Sequence, residues 1–188
     1  MKNIEQHNNE IQKNLEYWNK KPILAKIYRA FHESISYYLV KNLTGLTLEL
    51  GSGIGNIKEV IPDCIRSDLF PNPWLDSVQN AYELSFENNS IANLILFDVF
   101  HHLRYPGVAL DEFKRVLVPN GRVIIFEPCV SLLGLLVYGL LHHEPLALKE
   151  KIEWLPNKEW SPKDIDYYAA QGNATRIFMS NNFTNNLN

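Results

Sequence analysis

Only two cysteines, Cys64 and Cys129, stand in the 188 residues. They form no C-x-x-C pair and no zinc-ligand set, which fits a reducing cytoplasm. Basic excess is also missing. Eighteen Lys and Arg face 21 Asp and Glu, giving a net charge of −3 and a pI near 6.1. A nucleic-acid binder is expected to carry a basic stripe, so no nucleic-acid partner is expected. The first ten residues are polar, unlike a secretory signal. The longest apolar run, Val130 to Leu141, is interrupted by Ser131, Gly134 and Gly139. It falls short of the ~20 residues that cross a bilayer. That run reads as a buried helix or loop, or as a patch that meets a lipid or a greasy substrate. No internal repeat is found.

What is present suits one domain with a sizeable core, 46% hydrophobic. Residues 4–42 read as helical. Ile23, Ile27, Phe31, Ile35 and Leu39 recur at four-residue steps, and Pro22 suits a first turn. Ile11, Leu15 and Trp18 form a shorter stripe before them. The stripes pack on the domain, or one helix also covers a ligand site. Short apolar runs follow at Leu46–Leu50, Cys64–Asp68, Leu94–Phe97 and Val123–Phe126, with helices expected at Asn56–Val60 and Ala109–Leu117. Pro119-Asn120-Gly121 reads as a turn. Apolar strands alternating with helices predict an α/β domain, a Rossmann-like, doubly wound, mostly parallel sheet behind N-terminal helices. Residues 1–188 are read as one domain: helices over 1–42, a core over 46–128, and a variable region over 129–188. The last residues, Asn181 to Asn188, are asparagine-rich and expected to fray.

The chemistry concentrates at Glu49-Leu50-Gly51-Ser52-Gly53-Ile54-Gly55. Three glycines where a strand turns toward a helix let the backbone approach a ligand closely. Their G-x-G-x-G spacing differs from the G-x-G-x-x-G of dinucleotide sites. Glu49 would repel a pyrophosphate and attract a cationic group, directly or through water. Asp68 ends the next strand, seventeen positions after Gly51, near the ~20-residue offset of ribose-binding acids. Its two oxygens suit two ribose hydroxyls. Phe97 and Asp98 end a third strand. Ligands of open parallel sheets sit outside such strand ends, so one crevice is implied.

These residues, from about Leu46 to Pro128, resemble the class I S-adenosylmethionine-dependent methyltransferases, especially the small-molecule branch. The resemblance implies S-adenosylmethionine as cofactor, held by Glu49, Gly51, Ser52, Gly53 and Gly55. Asp68 would hold the ribose, Leu69 would also contact the cofactor, Asn80 and Ala81 would lie at the adenine, and Phe97 and Asp98 beside the cofactor. Asn80 stands where the family has an Asp. Leu117-Val118-Pro119-Asn120-Gly121-Arg122 is similar to the turn that opens the family's fifth strand.

The implied activity is methyl transfer to a small-molecule acceptor, with alignment as the protein's main task. A base is needed only where the acceptor must lose a proton. His101 and His143 are the candidates, and a structural role for His101 and His102 is favoured. His142-His143-Glu144 is too compact to surround one ion, so no metal is expected. The family's sheet ends in an antiparallel pair. Here only Arg176-Ile177-Phe178-Met179 reads as strand-like after Phe126, so C-terminal strands are expected to be missing. An exposed fifth strand predicts a homodimer, aggregation, or cover by Leu132 to Leu141. The alternative reading is a non-catalytic S-adenosylmethionine-binding module of the same fold. A nucleotide-dependent oxidoreductase is disfavoured by the glycine spacing and Glu49.

Overall fold

The computed structural model describes residues 2–131, 134–136, 145–164 and 168–179. Two helices lead, α1 (Lys2–Lys20) and α2 (Pro22–Tyr37), broken at Lys21 because Pro22 opens the second. Five strands follow: β1 (Leu46–Leu50), β2 (Ile65–Asp68), β3 (Ser77–Val78), β4 (Ile91–Phe97) and β5 (Leu117–Phe126). The helix α3 (Pro106–Val116) joins β4 to β5, and α4 (Asn173–Phe178) closes the described chain. All pairings are parallel, in the order β3-β2-β1-β4-β5. The chain thus reverses its direction of strand addition between β1 and β4, which opens a crevice at their carboxyl ends.

Period-two alternation explains the two cores. Leu94 and Leu96 of β4 face Phe100, Phe113 and Val116 on one side, joined by Ala174 and Ile177 of α4. Ile95 faces the other side, with Ile35 of α2, Ile57, Cys64 and Ile124. β4 is therefore buried on both faces, as the near-continuous apolar run requires. Each fully buried large apolar side chain contributes roughly 1.5–3 kcal/mol. Among the described residues no strand pairs with the outer side of β5.

The structure corrects several local expectations. Residues Asn56–Glu59 make one 3-10 turn instead of a helix, because Pro62 follows too soon for continuation. Residues Arg176 to Phe178 are helical, since Ala174 and Ile177 pack one face of a short helix onto the core. The stripe on α2 only partly packs. Ile35 is buried, whereas Ile23 and Ile27 are exposed. The buried side of α2 turns instead through Tyr28 and His32, whose rings contact Phe97. The expected turn at Pro119-Asn120-Gly121 lies inside β5. It is a bulge between the pairings Ile91–Leu117 and Asn93–Arg122, with Asn120 at φ 65°.

His32 is 2% exposed, and burial holds its pKa down at about 4. The unfolded chain takes that proton near pH 6.5, so native stability is lost as pH falls from 6.5 toward 4. We expect the Tm of the wild type to fall more steeply over that window than that of His32→Phe. Parallel Tm curves would contradict this.

Candidate functional site

The turn after β1 is shaped by glycine and locked by serine. Gly51 and Gly53 take φ of 69° and 52°, a left-handed conformation that side chains other than glycine rarely adopt. A Cβ on Gly51 would come within 2.3 Å of the Val99 side chain, so only glycine lets the turn meet the loop after β4. Ser52 N–H donates to Ser67 O at 2.8 Å, and Ser67 Oγ donates to Glu49 O at 2.7 Å. These bonds tie the turn to β2. They also bring Asp68 beside it, where its Oδ2 accepts from Gly53 N–H at 3.1 Å. Asp68 Oδ1 accepts from Leu69 N–H at 2.7 Å and meets His7 Nε2 at 3.1 Å.

Two cavities flank this turn. The first, about 280 Å3, is lined by Gly51, Gly53, Asp68, Leu69, Asn80, Ala81 and Asp98 among others. The second, about 310 Å3, is lined by Glu49, Gly51, Ser52, Gly53, Phe97 and Asp98 together with residues of α1 and α2. Gly51, Gly53, Asp98 and Asn14 belong to both. Ten of the eleven residues expected at the cofactor thus line one crevice with two lobes. Gly55 is the exception. It lines neither lobe, and its role is the left-handed residue (φ 71°) that starts the 3-10 turn.

Glu49 is 3% exposed, and its Oε2 has no hydrogen-bond partner in the protein. Burial pushes its pKa up to about 7. Asn80 is committed locally: its Nδ2 donates to Pro162 O at 2.7 Å and its Oδ1 accepts from Tyr82 N–H at 3.0 Å. Its carbonyl keeps a second lone pair for a ligand. The first lobe is roofed by a cluster in which Trp160 meets Tyr82 at 5.1 Å and Tyr105 at 5.0 Å between centroids. Nothing in the local sequence pattern marks Trp160, which lies 78 residues after Tyr82. The other wall is α1, through His7, Glu10, Ile11 and Asn14. Of the N-terminal helices, α1 thus borders both cavities and α2 borders the second.

His101 does not reach the crevice. It is 1% exposed, with Nδ1 at 2.7 Å from Glu127 Oε2 and Nε2 at 3.1 Å from Gln171 Nε2. Glu127 Oε1 accepts from the N–H groups of Val99 (2.8 Å) and Phe100 (2.5 Å). The pair therefore braces the loop after β4 from behind. Asp98, His101 and Glu127 bring three ligand-type atoms within 4.8 Å of one another. The shortest separation is a hydrogen bond that one proton satisfies. His102 lines the first lobe, and its Nδ1 lies 2.8 Å from Tyr168 O. His142, His143 and Glu144 lie outside the described residues.

A five-stranded parallel sheet with this strand order, and a crevice between the ends of β1, β2 and β4, is the fold of the class I methyltransferases. Residues 48–125 match the methyltransferase domain family. A solved S-adenosylmethionine-dependent methyltransferase of Thermotoga maritima is 16% identical and superposes with a TM-score of 0.56, over 86% of this chain and 75% of its own. That likeness shows the fold. A Methanococcus maripaludis protein assigned as an S-adenosylmethionine-dependent methyltransferase is 18% identical, over 60% of each chain, with a TM-score of 0.46. A Pyrococcus horikoshii protein is 23% identical, over 52% of this chain and 57% of its own, with a TM-score of 0.43. The chain thus spans about 60% of the length of these last two. No curated protein matches the sequence. No helix among the described residues is long and apolar enough to cross a membrane.

Proposed function

We propose that the chain binds S-adenosylmethionine across the glycine turn and directs its methyl group to a small-molecule acceptor. The observation that carries this reading is Glu49, a buried carboxylate whose Oε2 has no partner in the protein, beside a glycine turn. An unsatisfied buried carboxylate favours a cationic donor, and an amino-acid ammonium is one. Gly53 leaves the adjoining space open, since a Cβ there would meet only Ile11 Cδ1, at 3.7 Å. The residues present therefore fit the cofactor. Glu49 would hold its ammonium, Asp68 its ribose hydroxyls, and Leu69, Asn80 and Ala81 its adenine. When bound, S-adenosylmethionine supplies a methyl already activated by the sulfonium charge. The protein's share is orientation: Ser52, Ser67 and Asp68 hold the turn rigid, and the Glu127–His101 pair holds the loop that carries Asp98.

Calorimetric titration with S-adenosylhomocysteine is expected to give one saturable site, competed by S-adenosylmethionine. Absence of heat at millimolar ligand would overturn the reading. The second reading, a non-catalytic binding module, draws on the burial of His101, which removes the expected base from the crevice. Cofactor binding without methyl transfer to any component of a metabolite extract would favour it.

A further inference from the structure

We propose that the turn over residues 157–164 is a clamp on the adenine end of the first lobe, that Trp160 is the ring it lays against the base, and that Asn80 holds the clamp in place through its amide N–H. This rests on the cofactor reading of the crevice.

The segment is anchored upstream and self-contained at its tip. Trp154 O accepts from Gly107 N–H at 3.0 Å, and a Cβ on Gly107 would come within 2.7 Å of the Trp154 ring, so this anchor sits tight on α3. Beyond it, Asn157 Oδ1 accepts from the N–H groups of Glu159 (3.2 Å) and Trp160 (3.0 Å), and Asp164 Oδ2 accepts from Ser161 N–H (2.8 Å). Side chains that bind nearby backbone give a turn its shape without help from the core. Lys158, Glu159 and Lys163 are exposed on it. Its placement is set at the lobe. Trp160, Pro162 and Asp164 line the first lobe beside Asn80, Ala81 and Tyr82. Trp160 stands edge-on to Tyr82 and to Tyr105, with planes at 86° and 69°.

Rings at such angles offer a planar base both faces and edges, and base–aromatic contact is a strong term in binding. The hold on the clamp makes a separate chemical demand. Asn80 Nδ2 donates to Pro162 O at 2.7 Å, across 82 positions of chain. An amide both donates and accepts, whereas a carboxylate only accepts. With Asp at this position, two acceptors would face each other and the clamp would lose its tie. For receiving an adenine amine alone, the carboxylate is the stronger acceptor. A residue that only reads the base and a residue that also ties the clamp therefore give Asn80→Asp opposite signs.

The test joins calorimetry with S-adenosylhomocysteine and with adenosine to hydrogen exchange of the peptide over residues 157–164. In the wild type, saturating S-adenosylhomocysteine should slow exchange of that peptide. Asn80→Asp should speed its exchange in the free protein, remove the protection by ligand, and weaken S-adenosylhomocysteine by about tenfold, as for a lost hydrogen bond that leaves its partner unpaired. Trp160→Ala should weaken S-adenosylhomocysteine and adenosine by the same factor, roughly fivefold or more, because the base is the part of both that meets the clamp. If circular dichroism shows Asn80→Asp unfolded, Trp160→Ala, in a turn that shapes itself, carries the test. Asn80→Asp binding as tightly as the wild type or tighter, an unprotected 157–164 peptide in the liganded wild type, or Trp160→Ala at wild-type affinity for both ligands would each overturn the clamp alone. Failure of S-adenosylhomocysteine to bind the wild type overturns the cofactor reading, and the clamp with it.

Discussion

S-adenosylhomocysteine should bind the wild-type protein more tightly as pH rises from 6 to 7, and Glu49→Gln should abolish that rise. Burial raises the Glu49 pKa to about 7 in the free protein, so at pH 6 most molecules carry the neutral acid. The ligand's ammonium favours the carboxylate. Binding therefore releases a proton below pH 7, and affinity follows the ionised fraction, from about 10% at pH 6 to about 50% at pH 7. That is a gain of roughly fivefold. Above pH 8 the ligand's own amine loses its charge and the gain ends. Glutamine keeps the shape and removes the charge. It should cost ~1.5–3 kcal/mol at pH 7.5, about 10- to 150-fold in affinity, as for a charge-assisted hydrogen bond. Calorimetry in two buffers of different ionisation heat measures both affinity and released protons. A variant that keeps the wild-type pH slope would assign the proton to another group.

Asp68→Ala should be the most damaging substitution in the other lobe. Its carboxylate accepts from Gly53 N–H and Leu69 N–H, so it holds the glycine turn as well as offering oxygens to a ribose. Removing it loses the ligand bonds and slackens the turn that shapes both lobes. Each charge-assisted bond is worth ~1.5–3 kcal/mol, so a fall in affinity of ~100-fold or more is expected. Asp68→Asn, which keeps an acceptor oxygen, should fall between wild type and alanine. An independent readout is His7. Burial works to lower its pKa, but the hydrogen bond and charge of Asp68 outweigh burial and raise it. In Asp68→Ala the raising influence of Asp68 is gone and burial works against only the smaller ones of Asn8 and Glu10, so the His7 titration followed by NMR should shift to lower pH. An unshifted His7 together with unchanged ligand affinity would remove Asp68 from the site.

Glu49, Gly51, Gly53 and Asp68 were legible because local rules govern them. A strand that ends in glycines has few uses, and an acid at the end of the next strand sits beside it by the register of parallel pairing. The burial of β4 followed from its apolar run. The 3-10 turn after Gly55 and the helix over Arg176 to Phe178 were not legible in that way. In the first, Pro62 leaves only a few residues for a helix. In the second, contact with the core overrides a short β-like run. His101 looked like a crevice residue by its place after a strand, yet the 3-10 turn Phe100–His102 points it inward to Glu127. One residue further along, His102 lines the cavity.

By itself, the sequence determined the parallel α/β core and the glycine turn at its centre, because those depend on residues adjacent along the chain or on neighbouring strands. Only the tertiary structure decided what surrounds that turn. His7 against Asp68, Trp160 over Tyr82, and Tyr28 beside Phe97 are contacts across 61, 78 and 69 positions of chain. No periodicity links such partners. They meet because the sheet's reversal opens a crevice between β1 and β4, and segments from both ends of the described chain bury their rings against it.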